Sequence, residues 1–196
     1  MKFRTILLFG APGSGKGTQG KVLGSIPGFY HFSCGDAFRQ LKRDSDLGKI
    51  FFEYSSRGQL VPDEPVIRVW QQYMQTAERE GRFHPKTDTL LLDGIPRNVR
   101  QAKLLKSLVH VRFVLYLSCA DPKKLVARLK RRAMLENRQD DADPKVIRQR
   151  LQTYEHDTRP VLDFYGPELL RTIDSIQTPI QVLHEILGVL VKSDPK

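Results

Sequence analysis

Cysteine, long apolar runs and acidic residues are all scarce in this sequence. The two cysteines, Cys34 and Cys119, lie far apart. Two thiols cannot form a four-cysteine zinc site, and they offer no disulfide framework of the secreted kind. No apolar stretch approaches the ~20 residues of a membrane span. Lys2 and Arg4 precede Ile6–Phe9, but that run is too short for a signal peptide and a glycine loop follows at once. A cytoplasmic protein is expected. Internal repeats and low-complexity segments are absent. So is a basic stretch interleaved with aromatics, the pattern that grips single-stranded nucleic acid.

Acids are outnumbered: 32 Lys and Arg face 22 Asp and Glu, for a net charge of +10. That excess fits a nucleic-acid surface, a solvated basic face or a pocket for polyanionic small molecules. Charge alone does not choose among them; the positions of the arginines do.

The 196 residues are 40% hydrophobic, enough for one domain with its own core. Strand and helix patterns alternate, which predicts an α/β fold with a parallel sheet and crossover helices. Short apolar runs predict strands at Phe3–Phe9, Phe29–Phe32, Asp88–Asp93, Val111–Leu117 and Leu169–Ile173. Helices are expected after the glycine loop to about Leu23, from an Asp63 N-cap through Val66, Val69, Trp70 and Tyr73, and through Val99, Ala102, Leu105 and Leu108. Asp121-Pro122 and Asp143-Pro144 read as helix starts, the second followed by Ile147, Leu151 and Tyr154 on one face. Pro179–Val191 reads as a closing helix. Trp70 and Cys119 are expected to be core residues. Ser33–Val61 and the polar Ala133–Asp141 do not fit the core and read as insertions over the strand carboxyl ends.

Two motifs carry chemistry. Gly10-Ala-Pro-Gly-Ser-Gly-Lys16-Gly-Thr18 follows a strand and opens a helix, the context of a phosphate-binding P-loop. Its backbone N–H groups and helix N-terminus suit phosphate oxygens, and Lys16 can bridge β- and γ-phosphates. The usual hydroxyl after the lysine is displaced by one residue, to Thr18. The second motif is Leu90-Leu-Leu-Asp93-Gly-Ile-Pro-Arg97. A carboxylate ending an apolar strand is placed to hold Mg²⁺ or its water shell. Four further arginines, Arg128, Arg132, Arg138 and Arg150, read alone as a solvated basic face and, beside a P-loop, as a lid. The five histidines are scattered and read as structural or solvent-facing.

These residues resemble the adenylate kinases, within the wider nucleoside monophosphate kinases. The likeness rests on the P-loop through Gln19, on Asp93–Arg97, on Ser33-Cys-Gly-Asp36 with Arg39, on Val61-Pro-Asp-Glu64 and on Arg128–Arg150, and it spans nearly the whole chain. It implies a P-loop NTPase-like three-layer α/β/α fold. A five-stranded parallel sheet would carry two small mobile inserts in the single domain 1–196, an acceptor-binding segment at 33–61 and a short lid at 132–142. The implied reaction is reversible transfer of the terminal phosphoryl of MgATP to AMP, giving two ADP, by a cytoplasmic monomer without zinc.

Residue by residue, the resemblance places Gly13, Ser14, Gly15, Lys16, Gly17 and Thr18 around the ATP phosphates. Arg128 would lie at the ATP base and Arg132 at its phosphates, with the backbone near Gln177 and Thr178 flanking the base. Arg39 and Arg97 would grip the AMP phosphate, which suits bidentate guanidinium groups. Gln101 would meet the adenine edge, where a carboxamide offers a donor and an acceptor together. Cys34, Gln59, Leu60 and Val61, with Gly94, Ile95 and Pro96, would complete the AMP site. Arg138 and Arg150 would converge on the moving group, and Asp93 would hold magnesium through water. Asp140 and Asp141 are positioned to tie the lid down. Two positions depart from the pattern: Cys34 stands where threonine is usual, and Asn98 is shared with the UMP/CMP kinases. A UMP/CMP kinase and a basic nucleic-acid-binding NTPase without kinase turnover are the alternatives.

Overall fold

The computed structural model of the chain describes residues 2–136 and 138–193. Among these residues one parallel sheet has five strands: β1 (Phe3–Phe9), β2 (Phe29–Ser33), β3 (Thr89–Asp93), β4 (Val109–Ser118) and β5 (Leu170–Asp174), in the order β2-β3-β1-β4-β5. The alternation of side chains along a strand splits the core between the two faces. Leu7, Phe9, Leu90 and Leu92 pack with Phe32, Phe38 and Trp70 on one face. Ile6, Leu8 and Leu91 pack with Leu23, Phe113, Leu115 and Ile186 on the other. Both faces are covered, so β1 and β3 need continuous apolar sequence, the signal that marked them as strands. This is the three-layer α/β fold expected.

The helices are α1 (Lys16–Leu23), α2 (Cys34–Arg39), α3 (Asp46–Ser56), α4 (Asp63–Arg79), α5 (Val99–Leu105), α6 (Pro122–Glu136), α7 (Pro144–Thr153), α8 (Pro160–Tyr165) and α9 (Pro179–Ser193). A π-helical turn, Tyr154–Thr158, joins α7 to α8. Asp143 caps α7 through the Lys145 N–H, as its sequence signal predicts.

Several local expectations are corrected. Asp63 does not cap α4; Pro62 holds that position and Asp63 is the first helical residue, buried and turned to partners on α5. Proline at the cap leaves the acid free for a tertiary role. Helix α5 stops at Leu105, before Leu108. Within Ala133–Asp141, α6 runs on to Glu136 and a 3-10 turn, Gln139–Asp141, precedes α7. Cys119 lies just past β4, half-buried, with its thiol donating to the Asp121 carbonyl.

The sheet order fixes the site. The connection from β1 runs to the β2-β3 side and the chain then crosses to β4, so strand order reverses beside β1. Ligand crevices in such sheets open there, at the strand carboxyl ends. Register brings three loops to one level. Leu8 lies opposite Asp93, and Asp93 opposite Ser33. The glycine loop after β1, the acid ending β3 and the segment after β2 therefore meet at one edge.

Candidate active site

A cleft of about 520 Å³ occupies that edge. The P-loop forms its floor. Gly10 has φ of +146°, and a Cβ there would stand 2.5 Å from the Leu117 carbonyl oxygen, so only glycine permits this approach to β4. Gly15 caps α1 in the left-handed region. Lys16 folds back across the loop and donates to the carbonyls of Gly10 (2.6 Å) and Ala11 (3.1 Å). Burial lowers its pKa from 10.5 to about 8; Asp93 opposes that shift, while Arg97, Arg132 and Arg150 add to it. One ammonium thus feels the acid of β3 and three guanidinium groups from three other elements.

Asp93 is buried at the end of β3. A Cβ on Gly17 would lie 3.6 Å from its Oδ2, so the missing side chain keeps the carboxylate open toward the loop. His31 Nε2 is 3.8 Å from the same oxygen. This histidine packs where a Cβ on Gly20 or Gly24 would collide with it. A single carboxylate beside a phosphate loop fits a magnesium ion whose other ligands are phosphate oxygens and water. Among the described residues no group of three or more His, Cys, Asp or Glu could by itself hold a metal.

Arg132 and Arg150 are held by acids. Asp141 is fully buried and binds Arg132 through Nε at 2.6 Å and, in a short contact, Arg150. Asp140 takes Arg150 at 2.7 Å. Arg132 pays desolvation that lowers its pKa, but Asp141 outweighs it and the net direction is upward. For Arg150 burial prevails and the pKa falls. Asp140 and Asp141 thus hold Arg132 and Arg150 in place.

Asp36, in the sequence only the end of the Ser33–Asp36 motif, has a structural role. Its Oδ1 accepts from Arg39 at 2.6 Å and from Arg138, 102 residues away, at 3.3 Å. Burial pushes its carboxyl up, yet the Arg39 bond and the charges of Arg39 and Arg138 hold it below the usual range. One acid thereby joins the segment after β2 to the turn after α6. Thr153 adds a second bridge, donating to the Gly58 carbonyl at 3.2 Å.

Over residues 8–169 the chain matches the family model described as adenylate kinase. It is 39% identical over 191 residues to an adenylate kinase of Cyanothece sp., with 94% of each chain covered. It is 36% identical to one from Thermobifida fusca, covering 96% of this chain and 98% of that one. An adenylate kinase 1 of Nostoc sp. is 35% identical, with 94% and 97% covered. The chain belongs to the adenylate kinase family.

Within this adenylate kinase family member, the cleft is lined by Gly13 through Thr18, Arg39, Gln59, Leu60, Val61, Asp93, Gly94, Pro96 and Arg97. Arg128, Arg132, Arg138, Arg150 and Gln177 also line it. Arg97 is set by its own loop: Nε donates to the Gly94 carbonyl at 2.8 Å, and its carbonyl accepts from Thr158 at 2.7 Å. Four expected residues do not line this cleft. Ile95 is 2% exposed and belongs to the core; an apolar side chain beside Gly94 is drawn to the Phe38 and Val66 layer. Thr178 turns away to Gln181, whose Oε1 accepts from both its hydroxyl and its N–H. Cys34 and Gln101 lie behind the cleft, on a cavity of about 20 Å³ that shares Gly35, Leu60, Val61, Gly94 and Arg97 with it. The Cys34 thiol is buried, and burial pushes its pKa up to about 11. Asn98 is used structurally: its Oδ1 caps α5 by accepting from the Gln101 N–H at 2.7 Å. Among the described residues no helix is long and apolar enough to cross a membrane.

Proposed function

We propose that this adenylate kinase family member transfers the γ-phosphoryl group of MgATP to AMP, reversibly, giving two ADP. The observation that carries the reading is the set of charges acting on Lys16: Asp93 from β3, Arg97 from the following loop, Arg132 from α6 and Arg150 from α7. Phosphoryl transfer asks a protein mainly for alignment and for compensation of charge on the moving group. A lysine and three guanidinium groups converging over a phosphate loop meet that demand, and no general base is needed.

In this reading Gly13 to Thr18 hold the ATP phosphates, Arg128 and Gln177 flank its base and Arg132 reaches its phosphates. Arg39 and Arg97 hold the AMP phosphate. Arg138 and Arg150 act on the transferring group. Cys34, Gln59, Leu60 and Val61 wall the acceptor base, with Gln101 behind them. Magnesium, bound with ATP, would supply charge neutralisation at the phosphates, with Asp93 holding its water shell. The segments 33–61 and 132–142 close over the nucleotides to exclude water; the Asp36–Arg138 contact between them supports this. We also take the enzyme to be a cytoplasmic monomer.

The use of Asn98 as a helix cap removes the feature that favoured UMP or CMP. The arginines of the cleft put much of the basic excess toward a small polyanion, which favours nucleotides over nucleic acid. The test is an acceptor panel. With MgATP, the purified chain should make ADP fastest with AMP. Faster turnover with UMP or CMP would overturn the acceptor, and absence of turnover with any monophosphate would overturn the reaction.

A further inference from the structure

The buried contact between α4 and α5 is a chain of hydrogen bonds whose polarity is forced throughout. At one end the backbone N–H of Arg97 donates to Gln101 Oε1 at 2.7 Å. At the other, the backbone N–H of Gln101 donates to Asn98 Oδ1 at 2.7 Å. Between them stands Asp63. Its Oδ1 accepts from Asn98 Nδ2 at 2.8 Å and from Gln101 Nε2 at 2.9 Å. An amide's oxygen and nitrogen are ordinarily interchangeable in outline, and only the partners tell them apart. Here backbone N–H groups accept no bond and an ionised carboxylate donates none. Neither side-chain amide can turn over without setting an oxygen against a carboxylate and an NH₂ against an N–H.

Gln101 is 1% exposed and lines the small cavity beside Cys34 and Arg97. After its protein bonds, its carboxamide retains one lone pair on Oε1 and one N–H on Nε2. That pair complements a purine edge with a 6-amino donor beside an unprotonated N1. A 6-oxo purine presents the reverse order, an acceptor at position 6 and an N–H at position 1. Its binding requires the carboxamide to turn over.

We infer that Asp63 is a positioning residue for acceptor choice: it locks the Gln101 carboxamide in the one orientation that accepts a 6-amino purine and rejects a 6-oxo purine. The inference rests on the proposed use of a nucleoside monophosphate whose base lies at Gln101. In the proposed site Arg39 and Arg97 hold the acceptor's phosphate, and Leu60 and Val61, which line both the cleft and the small cavity, wall its base, so the order of groups along the base edge cannot reverse by rotating the ligand. Discrimination must then come from the protein side. Asp63 touches no substrate, and its effect passes wholly through Gln101. Replacing the charged acceptor with a group that can either donate or accept lifts Asp63's share of the penalty for the turned carboxamide, while the share set by the Arg97 N–H stays.

The experiment compares kcat/KM for AMP with kcat/KM for inosine monophosphate, in the wild type and in Asp63→Asn. The ratio within one preparation is independent of the folded fraction, so a loss of stability does not imitate the effect. The clamp predicts that the AMP preference falls about tenfold in Asp63→Asn. A fall of less than about fivefold overturns it. If Asp63→Asn yields no folded protein, Asp63→Ser, where a water can donate or accept in place of the carboxylate, is held to the same threshold. Asn98→Ser keeps the α5 cap and the Asp63–Gln101 bond and should leave the ratio within about twofold of wild type; a larger fall there means that helix disturbance, not orientation, sets the preference. A wild type that does not phosphorylate AMP refutes the proposed function itself, separately from the clamp.

Discussion

Lys16 should destabilise the resting protein, and replacing it should make the fold stronger while ending its activity. Its pKa drops from 10.5 to about 8 because the ammonium is desolvated among three guanidinium groups. At 1.36 kcal/mol for each factor of ten in proton affinity, that drop corresponds to ~3 kcal/mol of unfavourable charge at neutral pH. Lys16 sits half-buried in an open cleft where water screens it, so about 2 kcal/mol is a fairer figure. The bonds from Nζ to Gly10 and Ala11 return ~1 kcal/mol. Lys16→Met keeps the aliphatic stem and should therefore raise the unfolding free energy by about 1 kcal/mol at pH 7. The sign with pH follows from proton counts. Between pH 8 and 10.5 the unfolded chain holds the proton that the native site has released, so wild-type stability gains as pH rises through that window. The advantage of Lys16→Met should shrink over the same range and vanish near pH 10. Urea unfolding at pH 7, 8.5 and 10, with a coupled ADP assay beside it, reads all of this. A variant less stable than wild type at pH 7, or a difference that does not change from pH 7 to 10, would refute the account of Lys16 as a strained charge awaiting phosphate.

Arg150→Ala should lower kcat on the order of 10³-fold, with a smaller change in the KM for AMP, because the side chain is assigned to charge on the transferring group; steady-state kinetics on folded protein check it, and a loss confined to KM would reassign the residue to binding. The two thiols should differ in reactivity. Cys34 is buried, with its pKa pushed up to about 11, so an aromatic disulfide reagent at pH 8 should titrate one rapid thiol, Cys119, and leave Cys34 until the chain unfolds. Protection of Cys34 should vanish in urea, and rapid labelling of two thiols in native protein would contradict its burial.

Much of the fold could be read along the chain because its signals are local. The P-loop needs glycine where the backbone crowds β4, and a carboxylate must end an apolar strand to face that loop. The strands β1 and β3 declare themselves because a parallel strand buried on both faces has no polar side to interrupt it. Helix ends were less legible. Asp63 carries the residue type of a cap, and local rules cannot tell a capping aspartate from one claimed by another helix. Ala133–Glu136 opens a stretch that reads as an insertion, and with Met134 and Leu135 exposed no buried stripe marks the last turn of the helix that runs through it.

The sequence by itself determined the class of chemistry: Lys16, Asp93 and Arg97 lie within or beside motifs whose spacing dictates their relative placement. Tertiary structure decided the pairings. Asp36 with Arg138, Asp63 with Gln101, and Asp141 between Arg132 and Arg150 join elements that no periodicity connects. Which acid meets which base depends on strand order and on how each connection crosses the sheet, and a carboxylate's residue type is the same whether it faces solvent, a magnesium shell or a carboxamide that must not turn.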